Sequence, residues 1–255
     1  MRVGKRFEFG WGIRYLLGTL KSHIGLSQLP SPFVLVCGAP ERAQRIANRL
    51  HDAKTLAQNR EYHSYGGFYR GKPVTVVSHG VGAAGAAICF HELIEAGAKV
   101  IIRLGTAGGL HESTQIGDVI VATGAIRNDG VSAAMVPLEF PAVPDIELTL
   151  ALIHGMQSQQ LRGRSGVILT SDLFYPGLLD DRLAFYQKAG AVGVEMECSA
   201  LFVIAQLKKV RTASMLVLDG NPLKWDEGIY DPQSPKLVAS MDQAIDICLT
   251  VLTTH

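Results

Sequence analysis

The stretch Ala213-Ser-Met-Leu-Val-Leu-Asp219 is an almost unbroken apolar run that ends in a carboxylate. A short run of this kind predicts a strand covered on both faces, as in a parallel sheet. Five similar runs come earlier in the chain, at 33–37, 74–78, 100–105, 118–123 and 166–171. Helical patterns lie between or after these runs, at 40–51, 84–96, 146–159, 178–189, 196–208 and 235–253. The alternation predicts an α/β fold of one domain, with a central mixed, mostly parallel β-sheet flanked by helices.

The composition limits the classes of function. The formal net charge is +1, so no overall basic excess would draw the protein to nucleic acid or to an acidic membrane. We identify no apolar run long enough to span a membrane. The four cysteines are scattered and form no C-x-x-C pair, which favours reduced thiols in a cytoplasmic protein.

The first 22 residues differ from the rest, with five Lys/Arg and one Glu. We interpret residues 1–22 as an N-terminal extension on the surface and residues 23–255 as the domain. A weak organelle-targeting segment is the alternative for 1–22. His79 and His91 flank a predicted helix start without a second ligand at metal spacing, so we interpret both as structural and predict no metal.

Polar and charged residues follow several of the predicted strands. Gly38 follows the first run, Arg103 and Thr106 close the third, and Asp219 ends the last. In open α/β sheets, ligands bind outside the carboxyl ends of the strands, so these residues are candidates for one site. A buried Asp219 is costly unless a partner or a proton neutralises it, so either the fold or a ligand must satisfy it.

Two glycine-rich turns carry an arginine each. Gly38-Ala-Pro-Glu-Arg42 joins a strand to a helix, and Arg103-Leu-Gly-Thr-Ala-Gly-Gly109 ends another strand. Backbone N–H groups at such turns attract anions, and arginine binds phosphate in a bidentate manner. The pair predicts a phosphate-sized site, and structural salt bridges are the alternative for each arginine.

A third glycine-rich segment matches the dinucleotide-binding fingerprint. Gly80-x-Gly82-x-x-Gly85 follows a predicted strand and opens a helix. The fingerprint also requires an acidic residue about 20 positions on, to hold a ribose hydroxyl. The next strand instead contains Arg103, so a nicotinamide enzyme is disfavoured.

Seven segments together resemble the family of purine nucleoside and uridine phosphorylases, in its hexameric branch. They occur in the family's order and cover nearly the whole chain from His23 onward: GAPER (38–42), NREYHS (59–64), SHGVGAAGAAICFHEL (78–93), RLGTAGGL (103–110), TSDLFYPG (170–177), VEMECSAL (194–201) and LDGNPLKWDEG (218–228). The last segment is especially similar to purine nucleoside phosphorylases of apicomplexan parasites. The resemblance implies a nucleoside phosphorylase fold and a homo-oligomer, a hexamer built as a trimer of dimers.

The resemblance also implies roles for individual residues. Phosphate, the co-substrate, would be bound by Gly38, Arg42, Arg103 and Thr106, with Arg60 from a neighbouring subunit. The ribose would be held by Glu197, with Glu195 and Met196 beside it, and by His23 from a neighbouring subunit. The base would pack on Val81, Phe174 and Trp225. Asp219 would be the catalytic residue that donates a proton to the purine, and no cofactor would be needed.

The expected reaction is phosphorolysis of a purine nucleoside to free base and ribose 1-phosphate, a step of purine salvage. Ala39 departs from the Asp that the family usually has in the first phosphate turn. Phe174 is typical of uridine phosphorylases, but those enzymes read uracil with Gln and Arg where this chain has Leu178, Leu179 and Asp180. A uridine phosphorylase, a nucleosidase that uses water and a non-catalytic nucleoside-binding protein are the alternatives. The segment 128–141 is predicted to form a flap near the sugar.

Overall fold

The predicted strands form the centre of a nine-stranded sheet in the computed structural model, which describes residues 22–179, 182–228 and 230–255. The strands are β1 (Phe33–Cys37), β2 (His51–Asn59), β3 (Tyr62–Tyr69), β4 (Lys72–Ser78), β5 (Val100–Gly109), β6 (Val119–Asn128), β7 (Gly163–Ser171), β8 (Gly193–Glu195) and β9 (Arg211–Gly220). The proposed extension 1–22 lies outside the described residues, apart from Ser22.

Helices cover both faces of this sheet. They are α1 (Pro40–Ala47), α2 (Ala83–Glu95), α3 (Gly130–Met135), α4 (Ile146–Ser158), α5 (Leu183–Lys188), α6 (Cys198–Lys208) and α7 (Pro235–Thr254), with a 3₁₀ helix at Pro222–Glu227. The predicted α/β class, with a mixed sheet flanked by helices, is confirmed. The first helix was predicted too long: it ends at Ala47, and the chain enters β2 at His51.

Part of the sheet closes on itself. The strand order is β2-β3-β4-β1-β5-β8-β7-β6-β9, and β5 also pairs with β9. The strands β5, β9, β6, β7 and β8 therefore form a closed ring, while β1, β4, β3 and β2 extend from β5 as an open arm. Within the sheet β1 is parallel to β4 and β5, and β5 is parallel to β9.

These parallel pairings place the candidate residues at one edge. Cys37 is in register with Ser78, Val36 with Arg103, and Arg103 with Ser214. The turns that follow β1 and β4 and the ends of β5 and β9 consequently meet at the same side of the sheet. The site predicted from the strand ends therefore has a common location in the fold.

The core lies in two layers, one on each face of the central strands. In β1, Leu35 and Cys37 belong to one buried cluster, and Val34 and Val36 belong to the other. Burying each such aliphatic side chain stabilises the fold by about 1.5–3 kcal/mol. Coverage on both faces explains why β1 has no polar alternation.

The C-terminal helix α7 corrects the expectation that no apolar segment is long enough to span a membrane. Among the described residues, it is the one helix that is long and apolar enough to cross a membrane, with 20 residues. Half of its apolar stretch is buried inside the protein, as in the core helix of a soluble protein. Leu237, Met241 and Ile245 pack into the hydrophobic cluster, as predicted for a packing helix.

Candidate active site

A cavity of about 610 Å³ opens at the shared edge of the strands. Its lining includes every residue predicted for the site except Arg60 and His23. The turn after β1 contributes Gly38 and Arg42, and β5 contributes Arg103 and Thr106. The sequence had predicted an anion site from these same two turns, and the fold places them against one cavity.

Arg103 is the buried cation of this cavity. Its Nη2 contacts the Glu197 carboxylate and lies 3.3 Å from Glu195 Oε2. Its Nε and Nη1 are buried and have no hydrogen-bond partner among the described residues. Gly105 makes this position possible, because a methyl group there would overlap the guanidinium. Unpaired buried donors cost about 1–3 kcal/mol each, so these two N–H groups are suited to an anionic ligand.

The salt-bridge alternative for Arg103 is thus half correct. The guanidinium pairs with carboxylates through Nη2, but its Nε–H and Nη1–H groups make no hydrogen bond to the described residues. Burial acts to lower the pKa of Arg103, but Glu197, Cys198 and Glu195 outweigh it and raise that pKa above its ordinary value. Arg103 is therefore a permanent positive charge.

Arg42 differs from Arg103 in its surroundings. No salt bridge to Arg42 occurs among the described parts of the chain. Burial first, and then the repulsion of Arg103, lowers the pKa of its guanidinium, although Asp219 and Glu197 act in the opposite direction. Arg42 thus adds a positive charge, without an ion-pair partner among the described residues, beside the paired guanidinium of Arg103.

Glu197 presents its carboxylate to the cavity beside Arg103. Its Oε1 accepts a hydrogen bond of 2.6 Å from the Gly82 backbone N–H. Burial acts to raise the pKa of Glu197, but Arg103, His79 and Gly82 lower it below its ordinary value. Glu197 is therefore an ionised carboxylate, which can accept hydrogen bonds from two neighbouring hydroxyls.

The glycines of the Gly-x-Gly-x-x-Gly segment have another use in this fold. Gly80 and Gly82 adopt φ values of +77° and +91°, which glycine tolerates best. The loop they form turns the Gly82 N–H toward Glu197. His79 is buried beneath this loop with Nδ1 2.8 Å from the Gly80 carbonyl oxygen, and burial lowers its pKa to about 4. The structural role predicted for His79 agrees with this placement.

Asp219 stands at the end of β9, on the same cavity. Burial raises the pKa of its carboxyl to about 6, while hydrogen bonds, including one from Thr106, and the charge of Arg42 act against the rise. The group consequently changes charge close to neutral pH. A carboxyl of this kind can serve as a proton donor.

An aromatic cluster forms another wall. Phe174 and Trp225 have ring centroids 5.4 Å apart, and Tyr230 lies 6.3 Å from Phe174 and 6.1 Å from Trp225. Val81 lies on the lining and is largely exposed. Tyr230 was not predicted. The signal available in the sequence was an aromatic residue five positions after Trp225, in the loop that returns to pair with Gly220.

Residues 32–247 match the sequence pattern of the Phosphorylase superfamily, which is most of the chain. The chain belongs to this superfamily. A purine nucleoside phosphorylase from Plasmodium vivax is 42% identical over 218 residues, covering 84% of this chain and 89% of the relative. A uridine phosphorylase from Treponema pallidum is 37% identical over 222 residues, covering 83% of this chain and 86% of the relative.

A solved structure agrees with these sequence relatives. The purine nucleoside phosphorylase of Toxoplasma gondii in complex with immucillin-H superposes with a TM-score of 0.86 at 34% identity, covering 92% of this chain and 95% of that one. The superfamily and the nucleoside phosphorylase fold that the motifs implied are thereby confirmed. The similarity includes purine and uridine enzymes, as the sequence motifs had indicated.

Two residues that the resemblance assigns to a neighbouring subunit lie away from the cavity of their own chain. Arg60 is exposed at the β2–β3 turn with φ of +53°. His23 has Nδ1 2.7 Å from Glu92 Oε1, and its side chain is 46% exposed. Asn59, which directly precedes Arg60, donates a hydrogen bond of 2.9 Å to the His23 carbonyl oxygen. Arg60 and His23 therefore belong to one surface region.

The predicted flap at 128–141 contains α3 and is held to the end of β6 by hydrogen bonds. The Arg127 guanidinium donates to the carbonyl oxygens of Ser132, Pro137 and Phe140, among others. Asp129 accepts from the backbone N–H of Ser132 and from the Ser199 hydroxyl. No flap residue is on the cavity lining in the described parts of the chain.

Proposed function

We propose that this protein catalyses the phosphorolysis of purine nucleosides to free base and ribose 1-phosphate. The observation that carries the proposal is the placement of Asp219, with a pKa of about 6, on the cavity that also holds Arg103 and Glu197. A phosphate clamp, a sugar-binding carboxylate and a proton donor are the three groups that this reaction needs. The Plasmodium and Toxoplasma relatives named as purine nucleoside phosphorylases support the same conclusion.

The chemistry assigns one task to each group. Arg103 and Arg42 hold inorganic phosphate, and one of its oxygens forms a bond to C1′ of the ribose. Glu197 accepts hydrogen bonds from the 2′- and 3′-hydroxyls and orients the sugar. The bond from C1′ to N9 breaks, its electron pair goes to the purine, and Asp219 donates its proton to N7. Positive charge that develops on the sugar is balanced by the phosphate, as in other glycosidic cleavages.

A uridine phosphorylase remains the second candidate, because Phe174 is on the base wall and uridine enzymes are among the relatives. The two residues that directly follow Gly177 argue against it. Leu178 and Leu179 are exposed side chains outside the cavity lining and offer no donor to the uracil edge. Unpaired uracil oxygens would cost about 1–3 kcal/mol per group.

Inosine and uridine, each assayed with inorganic phosphate, separate these candidates. We expect kcat/KM for inosine to exceed that for uridine by about 100-fold, which corresponds to two unpaired polar groups. Base release is followed by the change in ultraviolet absorbance. Faster turnover of uridine would make the protein a uridine phosphorylase.

We further propose a homo-oligomer in which His23 and Arg60 complete the active site of a neighbouring subunit, as in the hexamer that the resemblance implies. The support is that both residues lie outside the cavity of their own chain, on one exposed surface region.

Co-expression of two inactive variants tests this sharing. His23→Ala and Glu197→Gln should each be weak alone, because each impairs every site of a homo-oligomer. Mixed oligomers contain some sites with both residues intact, so we expect recovery to about a quarter of wild-type activity for random pairing. Purified single variants mixed without subunit exchange serve as the control. Activity of the co-expressed pair no greater than that of the control would contradict a shared site.

A further inference from the structure

The helix α6 begins without help from its own N-cap side chain. The N-cap residue is Glu197, and its side chain accepts no hydrogen bond from the first turn of the helix. That carboxylate is instead turned to Gly82 N–H and to Arg103. The first backbone N–H groups of a helix need acceptors, and N-cap side chains usually supply one of them.

Glu195 supplies the missing acceptors from two residues upstream. Its Oε2 accepts hydrogen bonds of 2.8 Å from Glu197 N–H and 2.9 Å from Cys198 N–H. Its Oε1 lies 3.0 Å from the Cys198 nitrogen and accepts a bond of 2.6 Å from the Thr170 hydroxyl. Both carboxylate oxygens of Glu195 are thus occupied by the protein, although the resemblance places this residue beside the ribose.

Thr170 completes the arrangement from the neighbouring strand. It lies on β7 directly opposite Glu195 on β8. Its hydroxyl donates to Glu195 and accepts a hydrogen bond of 3.0 Å from Ser199 N–H, the next amide of α6. All three residues, Thr170, Glu195 and Ser199, are buried. Loss of one of these hydrogen bonds would therefore leave a buried polar group without water to replace its partner.

We propose that Thr170 and Glu195 are positioning residues that cap α6 in place of Glu197 and so leave the Glu197 carboxylate free to hold the sugar hydroxyls. The inference rests on the proposed function for the identity of the sugar. It reassigns Glu195 from a ribose ligand to a group that fixes the backbone of the ribose ligand. Thr170 has no predicted role in the motifs that led to the family.

The substitution Thr170→Val tests the inference, because it keeps the shape of the side chain and removes the hydroxyl. We expect kcat/KM for inosine to fall about 10-fold, the loss of one hydrogen bond to a charged group. The effect on 2′-deoxyinosine should be smaller, about 3-fold, because that substrate lacks one of the hydroxyls that Glu197 holds. Thr170→Ser keeps the hydroxyl and should restore both values.

A matched control separates this role from general destabilisation. Thr75→Val makes the same change on a buried strand of the open arm, where the hydroxyl donates to the Ser31 carbonyl oxygen at 3.2 Å. Thr75 is not among the residues that line the cavity in the described parts of the chain, so the ratio of kcat/KM for inosine to that for 2′-deoxyinosine should stay at the wild-type value. An unchanged ratio in Thr170→Val would overturn the inference.

Hydrogen exchange gives a readout that does not depend on activity. Thr170→Val should speed amide exchange in the peptide that spans residues 195–201, whereas Thr75→Val should not. Wild-type exchange in Thr170→Val would also overturn the inference. A wild-type protein that does not cleave inosine would contradict the proposed function, and the exchange result would still decide whether Thr170 helps to cap α6.

Discussion

Replacing Arg103 with alanine is expected to abolish phosphorolysis and to lower the free energy of unfolding by about 3–5 kcal/mol. The substitution would leave the buried Glu197 carboxylate without its cation, and Glu195 would lose a positive charge 3.3 Å away. Loss of one partner of a buried ion pair is costly because the remaining charge is uncompensated. Urea unfolding of the variant and the wild type at pH 7 measures the loss of stability.

Arg42→Ala is the matched comparison for Arg103→Ala. Arg42 lines the same cavity but has no salt bridge among the described residues, and its pKa is lowered by burial and by Arg103. Its removal should reduce phosphate-dependent activity while leaving the free energy of unfolding unchanged or slightly higher. Equal destabilisation by the two substitutions would mean that the Arg103 ion pairs do not hold this edge of the sheet.

Asp219→Asn is expected to lower kcat/KM for inosine by about 10²–10⁴, the usual contribution of a general acid. The wild type should also lose activity as pH rises through about 6, the pKa to which burial raises Asp219, because the proton donor then ionises. The variant should lack this decline. Asp231→Asn, in the loop that follows, is the control, and its pH profile should match that of the wild type.

Asp219→Asn should also raise the free energy of unfolding at alkaline pH. The pKa of Asp219 rises from 3.8 to about 6 on folding, so the folded state holds this proton more tightly than the unfolded chain does. The resulting stabilisation is complete below pH 3.8 and is lost as pH rises through about 6. At pH 8 we therefore expect Asp219→Asn to be more stable than the wild type by about 1–2 kcal/mol, allowing for partial exposure. A less stable variant at pH 8 would contradict the raised pKa of the partly buried Asp219 carboxyl.

The buried strands were predictable because their environment imposes one composition. Strand β1 and the central part of β9 are covered on both faces, so they carry apolar runs that stand out in the sequence. The edge strand β2 was missed because nearly all its side chains are exposed and show no apolar alternation. The closure of β5, β9, β6, β7 and β8 into a ring depends on pairings between strands far apart in the chain, which local pattern does not encode.

The candidate site was predictable from the sequence where charged residues occur in otherwise apolar strands. An arginine in β5 and a carboxylate that ends β9 attract attention because such charges are rarely buried without a partner. The substitute cap of α6 was not foreseen, since Thr170 is an ordinary strand residue whose hydrogen bonds appear only in three dimensions. Tyr230 was missed for a similar reason, because only the returning loop brings its ring to Phe174 and Trp225.

The most direct test of the proposed function is the release of hypoxanthine from inosine by the wild-type protein, with and without inorganic phosphate, together with the amount of ribose 1-phosphate formed. We predict that release requires phosphate and that each hypoxanthine is accompanied by one ribose 1-phosphate. Release of hypoxanthine and free ribose without phosphate would instead make the protein a nucleosidase. No release under either condition would contradict catalysis and leave a nucleoside-binding protein as the better description.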